Sequence, residues 1–174
     1  MSVTIELLDG IRAVEVAAAS TRGRKDMRSI SLGDWPKWLD AEHSPIREFR
    51  LRIICEGMPV PVSVHFVRHS QFIQHYVETH RPDRTGVPRT LEDTVRHTMT
   101  GNAQSFIDLF RKRLCEQCTD ETILWAQTIR GAILLHPDGY VAALAEFLVP
   151  NCVYRGGVCH EMKPCGKMPL SRGR

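Results

Sequence analysis

Read for period alone, the chain resolves into segments whose apolar residues recur either every second position or at helical spacing. "VTIELLDG" (3–10) alternates as a short strand, and "IRAVEVAAAS" (11–20) follows as a helix, so the chain opens with a strand-helix unit. "TRGRKDMRS" (21–29) is a basic loop. In "AEHSPIREF", Ser44 suits a helix cap with Pro45 at the first helical position, and Glu48 stands one residue beyond the capping-box place. "FRLRIIC" (49–55) alternates like a half-buried strand and is expected to stop at "EGMP". After Pro61, "VSVHFVRH" fits a strand or a helix, and residues 81 to 90 read as loop. From Leu91 the pattern predicts one helix to about Cys118, another over "ETILWAQTIRGAILL", a turn at "HPDG" and a further helix over "YVAALAEFL". The tail, rich in Gly, Pro and Cys, predicts no regular element, and no internal repeat is evident.

With 174 residues, 43% of them hydrophobic, the chain has material for one core, so residues 1–174 are expected to form one domain with a Cys-rich tail at 150–174. A formal charge of +3 is too mild for bulk attraction to nucleic acid, and no nucleic-acid partner is expected. Glu6, Asp9, Arg12 and Glu15 interrupt the first twenty residues, which excludes the apolar centre of a signal peptide there. No stretch of about 18 apolar residues could span a membrane. A cytoplasmic location follows as the expectation, and the six cysteines then read as thiols or metal ligands rather than disulfides.

Cations matter locally. "VRHSQFIQHYVETHRPDR" (67–84) gathers Arg68, Arg81 and Arg84 with His69, His75 and His80, and only Glu78 and Asp83 oppose them. Further on, Phe106, Leu109 and Phe110 define an apolar helical stripe with Arg113 in its middle and Asn102 and Gln117 on the same line. Polar groups on a core-facing line are costly unless each has a partner, so the row implies a ligand, a partner chain or an ion pair. Asp108 and Glu116 are the acids within reach of Arg113.

"GNAQSFIDLFRKRLC" resembles the helix of flavin-dependent thymidylate synthases that begins Asn-Ala-Arg and ends Leu-Arg-x-Cys in many members. "EHSPIREFRLRI" is similar to that family's His-x-Ser-x-x-Glu stretch leading into a strand, "VHFVRHS" to the start of its Arg-His-Arg signature, and "CVYRGGVCHEMKPCG" to a cysteine-rich tail of phage and clostridial relatives. These pieces cover about residues 41 to 165. The resemblance implies a single-domain α/β fold with a small mixed or antiparallel sheet and several packed helices, assembled as a homotetramer with active sites between chains. It implies C5 methylation of dUMP or a related pyrimidine nucleoside monophosphate, with methylenetetrahydrofolate giving the carbon, FAD the hydride and NADPH the electrons. Fixed cations are the expected tool where charge develops on the pyrimidine.

Carried over residue by residue, Arg68 and His69 match the signature and Ser70 replaces its third arginine, a flavin contact. One inserted residue places the nucleotide-binding serine and arginine on Thr79 and Arg81, in preference to Glu78 and His80, because a hydroxyl and a guanidinium suit a phosphate. Asn102 matches the flavin-side asparagine and Arg113 the nucleotide-side arginine, which is expected to be catalytic. Gln117 stands where many members have a flavin-contacting histidine. Only residues 82 to 101 separate signature from helix, where most members carry a longer stretch. The competing class is a shortened, non-catalytic homologue that binds a nucleotide or serves assembly.

Other constellations are weaker. Cys152, Cys159 and Cys165 lack CxxC spacing, yet with Cys115 they could complete a structural zinc site, and otherwise they act as small apolar residues. No Gly-x-Ser-x-Gly elbow and no P-loop lysine occurs. His65, His69 and His75 could hold a metal, although histidines near a core are more often hydrogen-bonded structural residues.

Overall fold

A computed structural model describes residues 1–68, 71–79, 82–88 and 90–170. Strand β1 (Ser2–Asp9) and helix α1 (Ile11–Thr21) form where the opening pattern places them, with Gly10 as the helix N-cap. Helix α1 buries Val14 and Ala18 together with Glu15, whose carboxylate accepts the Ile30 N–H at 2.8 Å and Arg12 at 3.3 Å. That backbone bond, stronger than the opposing effect of burial, holds the Glu15 pKa below the usual carboxylate range. The basic loop is thereby fastened to α1.

Helix α2 (Trp35–Asp40) directs Trp35 and Leu39 into the core. Ser44–Glu48 is a 3-10 turn with His43 at its N-cap position and no side-chain capping bond, so Ser44 does not cap a helix as expected. The five residues before the next strand accommodate i to i+3 bonds, such as Ile46 N–H to His43 at 2.9 Å, and nothing longer. Strand β2 (Arg50–Pro59) buries Leu51, Ile53 and Cys55 and runs through the predicted stop at Glu56. A bulge between Cys55 and Met58 lets it continue, and Gly57 absorbs it at φ 72°. Helix α3 (Val60–Val67) resolves the ambiguity after Pro61, whose ring fits the first turn because its missing N–H would have no partner there.

The main correction concerns the segment from Leu91, which opens not as a helix but as a strand. The chain makes β3 (Ile73–Val77), a single turn α4 (Pro82–Thr85), and then β4 (Thr94–Asn102). In β4, Val95, His97, Met99 and Gly101 are buried, while Thr94 and Arg96 face solvent. The period is two, but a histidine and a glycine occupy inward positions and obscure it. The sheet is antiparallel throughout in the order β1-β2-β4-β3, with Ile5 opposite Ile53, Ile53 opposite Met99, and Ile73 opposite Gly101.

Four further helices follow: α5 (Ala103–Arg113), α6 (Asp120–Leu134), α7 (Gly139–Leu144) and the short α8 (Asn151–Tyr154), which gives the tail one regular turn. Thr119 caps α6 by accepting the Thr122 N–H, and Asp138 of the predicted turn caps α7 by accepting the N–H groups of Tyr140 and Val141. The core joins the inward sheet residues to Trp35, Phe49, Phe66, Phe106, Phe110 and Trp125. Among the described residues no helix is long and apolar enough to cross a membrane.

One polar pair interrupts this core. His75 Nδ1 and His97 Nε2 are hydrogen-bonded at 2.9 Å, and the two outer ring nitrogens have no partner. Burial, followed by the neighbouring His75, lowers the fully buried His97 from the ordinary 6.5 to about 4. A histidine depressed in the folded state takes up its proton in the unfolded chain first, so it stabilises the fold above 6.5 and loses that contribution as pH falls toward 4. We therefore expect the unfolding free energy, measured by urea titration, to fall between pH 6.5 and 4 by an amount approaching ~3 kcal/mol. In His97→Gln the slope over this window should flatten, and a slope identical to that of the unsubstituted protein would remove His97 as its source.

Candidate functional site

The site is organised by the passage from β4 to α5, which uses no loop at all. Asn102 is the last residue of the strand, opposite Arg50, and also the N-cap of the helix. Its side-chain oxygen accepts the Ser105 N–H at 2.9 Å, and Ser105 Oγ accepts the Asn102 N–H at 2.9 Å in return. The Ala103 N–H donates to Phe49 at 2.8 Å. Gly101 lies directly beneath: a Cβ there would stand 2.7 Å from Ser105 Oγ and 3.0 Å from Ile73. Asn102 therefore has a structural duty on its oxygen, and its amide nitrogen remains for other use.

Around Asn102 an open cleft is lined by Arg50, Phe72, Gln74 and Thr100. Phe72 adopts φ 59° and is 81% exposed. A bulky residue in the left-handed region with its ring in solvent carries both strain and an apolar surface, which is the combination found at ligand clamps. Period and spacing in the sequence give no sign of it.

The far end of α5 presents a second environment. Arg113 is 7% exposed, and its Nε has no hydrogen-bond partner. Its Nη1 donates to Cys118 Sγ at 3.7 Å, a weak acceptor. The two acids near it in sequence are engaged elsewhere: Asp108 receives Arg111 at 2.8 Å and Glu116 receives Lys167 at 2.7 Å. Close by, His65 on α3 is hydrogen-bonded through Nδ1 to Thr122 Oγ1 at 2.8 Å. Burial, then the charges of Arg113 and Arg68, hold the His65 pKa below its ordinary value. A buried guanidinium near the His65 imidazole, with no carboxylate partner among the described residues, offers donors to an anion or to an oxygen that gains charge.

Two residues away, Arg111 has the opposite fate. It pairs with Glu42 and Asp108 and lies over the Tyr154 ring at 3.5 Å to its centroid. Glu42, at φ 48°, also accepts Gln104 at 3.0 Å. This cluster clamps α5 to the loop after α2 and to α8.

Of the residues expected from sequence, Asn102 and Arg113 occupy opposite ends of α5, about 16 Å apart at the helical rise of eleven residues. Among the described residues, the cleft around Asn102 does not include Arg113. Gln117 is not on the helical stripe, because α5 ends at Arg113 with Leu114 as its C-cap. The chain turns there through the Cys118 N–H to Cys115 bond at 2.9 Å. Arg68 is exposed at the C-cap of α3, and Thr79 is exposed just beyond β3. His69, Ser70, His80 and Arg81 lie outside the described residues. His65 and His75 each hydrogen-bond to a different element, and among the described residues they do not join in a metal-binding set.

Cys115, Cys152, Cys159 and Cys165 all line one cavity of about 200 Å³, with Gln117 on its wall. Among the described residues no three His, Cys, Asp or Glu side chains stand at metal-ligating spacing. Cys55 is different: burial pushes its thiol up to about 12, which makes it an inert core residue. A further cleft of about 290 Å³ lies between α1, the basic loop and α2. Glu15, Asp26 and Asp34 line it beside Arg22, Arg28 and Lys37, and none of its residues belongs to α5.

By sequence the chain matches no protein-family model and no curated protein. Its fold is nevertheless shared with solved structures. It is similar to thymidylate synthase X from Helicobacter pylori, crystallised with FAD and dUMP, at a TM-score of 0.67 and 10% identity over 85% of this chain and 99% of that one. It is similar also to the UMP/dUMP methylase PolB from Streptomyces cacaoi, bound with 5-Br dUMP, at a TM-score of 0.60 and 15% identity over 85% of this chain and 96% of that one. The α/β class and antiparallel sheet expected from the resemblance are borne out.

The β4–α5 junction can be tested by stability alone. Asn102→Ala should lower unfolding free energy by about 1 kcal/mol, whereas Asn102→Asp, which keeps the acceptor, should change it by a few tenths at most. Gly101→Ala should cost about 1 to 3 kcal/mol, since the added methyl must displace Ser105 or Ile73. Equal midpoints in a urea titration for Asn102→Ala and the unsubstituted protein would show that the cap is dispensable.

Proposed function

We propose that the chain is a flavin-dependent methylase acting at C5 of a pyrimidine nucleoside monophosphate, with dUMP as the first substrate to test. The observation that carries this reading is the buried, carboxylate-free Arg113 next to His65, in a fold shared with two proteins solved with dUMP or its bromo analogue. Bound FAD would supply hydride chemistry, methylenetetrahydrofolate the one-carbon unit, and NADPH the reducing electrons.

The chain's own part is binding, orientation and charge. Arg113 directs donors at the nucleotide and favours negative charge on a pyrimidine oxygen. His65, fixed by Thr122, offers a neutral ring beside it, and Arg68 adds a second positive charge. At the other end of α5, the Asn102 amide nitrogen and the exposed Phe72 ring fit a flavin edge and face, with His69, Ser70 and Gln117 as further cofactor contacts. Thr79 and Arg81 hold the phosphate. The Glu78 carboxylate accepts the Arg96 N–H at 3.0 Å, which supports the register that assigns the phosphate to its neighbours. Because Asn102 and Arg113 face separate surroundings, a complete site is formed between chains, which calls for a homo-oligomer.

A ligand role and a structural role for Arg113 predict opposite signs. Replacing an unpaired buried cation with an apolar residue relieves desolvation, so Arg113→Met should raise unfolding free energy by about 1 kcal/mol or more. The same change should weaken dUMP binding by about 1.5 to 3 kcal/mol in calorimetry with FAD present. A destabilised variant that binds dUMP normally would end the substrate reading. Purified protein with no flavin absorbance, and no calorimetric response to FAD and dUMP, would favour a non-catalytic assembly homologue.

For the register, Arg81→Ala is expected to cost nucleotide binding about 1.5 to 3 kcal/mol and His80→Ala much less. The reverse order would restore the uninterrupted alignment.

A further inference from the structure

We propose that Cys115, Cys152, Cys159 and Cys165 form a structural thiolate site for zinc that fastens the C-terminal segment to the end of α5. The four residues come from separate pieces of chain: the turn after α5, helix α8, and the segment beyond Gly157. They are nonetheless brought to line one cavity of about 200 Å³. Most of the other donors on its wall are engaged. Glu161 receives Lys112 at 3.1 Å and Glu116 receives Lys167 at 2.7 Å, which leaves four sulfurs as the principal ligands. All-sulfur sets select zinc-like ions over magnesium or calcium.

Packing gives the second reason. The segment returns across α5 with little apolar surface to hold it: Val153, Met162 and Leu170 are all exposed. Its internal ties are local, such as the Cys159 N–H to Pro169 bond at 2.8 Å. A cavity of 200 Å³ is several times the space of a water molecule, about 30 Å³, and the thiols stand around it wider than ligating spacing. Metal binding would draw the segment inward, close that space and release the thiol protons, so part of the binding free energy becomes local folding free energy. The inference does not depend on the nucleotide reading.

Cobalt(II) titrated into reduced, chelator-treated full-length protein reads the site directly. We expect thiolate-to-cobalt charge-transfer bands and the visible bands of a tetrahedral ion, saturating at one ion per chain and bleached by zinc. Zinc should also slow alkylation of these four cysteines, mapped by mass, and leave that of Cys118 unchanged. Cys165 is exposed, so Cys165→Ser preserves the fold while removing a ligand, and its cobalt spectrum should be lost or shifted. Cys118→Ser should keep the spectrum intact. No tetrahedral spectrum, or one unchanged in both Cys165→Ser and Cys152→Ser, would overturn the proposal, as would a disulfide joining these cysteines in protein purified without reductant.

Discussion

Both ends of the candidate site are positioned by the absence of a loop between β4 and α5. One residue, Asn102, closes the sheet ladder against Arg50 and opens the helix by capping it, so the direction of α5 is inherited from the sheet. The inheritance works only because Gly101 has no side chain, since a methyl there would occupy the space of Ser105 Oγ. A flexible connection would let α5 rotate and its polar residues reach water. A rigid one compels Arg113 to enter the interior with Phe106, Leu109 and Phe110.

That compulsion explains the contrast between two arginines on the same turn. Arg111 points toward the loop after α2 and finds two carboxylates and a tyrosine ring, so its charge is neutralised and the helix is clamped. Arg113 is buried and finds only the Cys118 thiol and the nearby His65. Among the described residues Arg113 has no carboxylate partner, so the cost of burying its charge is not repaid by an ion pair. Burial and the charges of Arg113 and Arg68 oppose protonation of His65, so the imidazole resists adding to the positive charge already there.

How much of this was legible beforehand depended on whether local pattern or distant contact determined each feature. Strand β1, helix α1 and the helices α6 and α7 announce themselves because their apolar period is unbroken, with Thr119 and Asp138 marking two starts. Strand β4 was read as helix because its inward row includes His97, a residue made tolerable only by His75 from the neighbouring strand. Local sequence does not carry that partner. The same holds for the site. Arg113 was conspicuous as a polar residue on an apolar stripe, but its lack of an acid partner required knowing where Asp108 and Glu116 turn. Phe72 and His65 gain their interest from a backbone angle and from Thr122, and neither is visible in spacing. Gln117 was misplaced by assuming that the helix continues, whereas Leu114 ends it and the chain turns toward the tail.

Helix α5 therefore acts less as a wall of one pocket than as a rigid spacer between two. Its N-cap Asn102 faces a cleft with an exposed aromatic ring, and its last residue, Arg113, is buried, about 16 Å along the axis. Reacting atoms must approach to about 3 to 3.5 Å, so a two-ligand reaction needs elements that bridge this separation. On the proposed reading a second copy of the chain would do so without any new chemistry, by bringing the beginning of one α5 toward the end of another. On that view the loopless junction, which sets the angle of α5 to the sheet, also sets the geometry in which two chains complete each other.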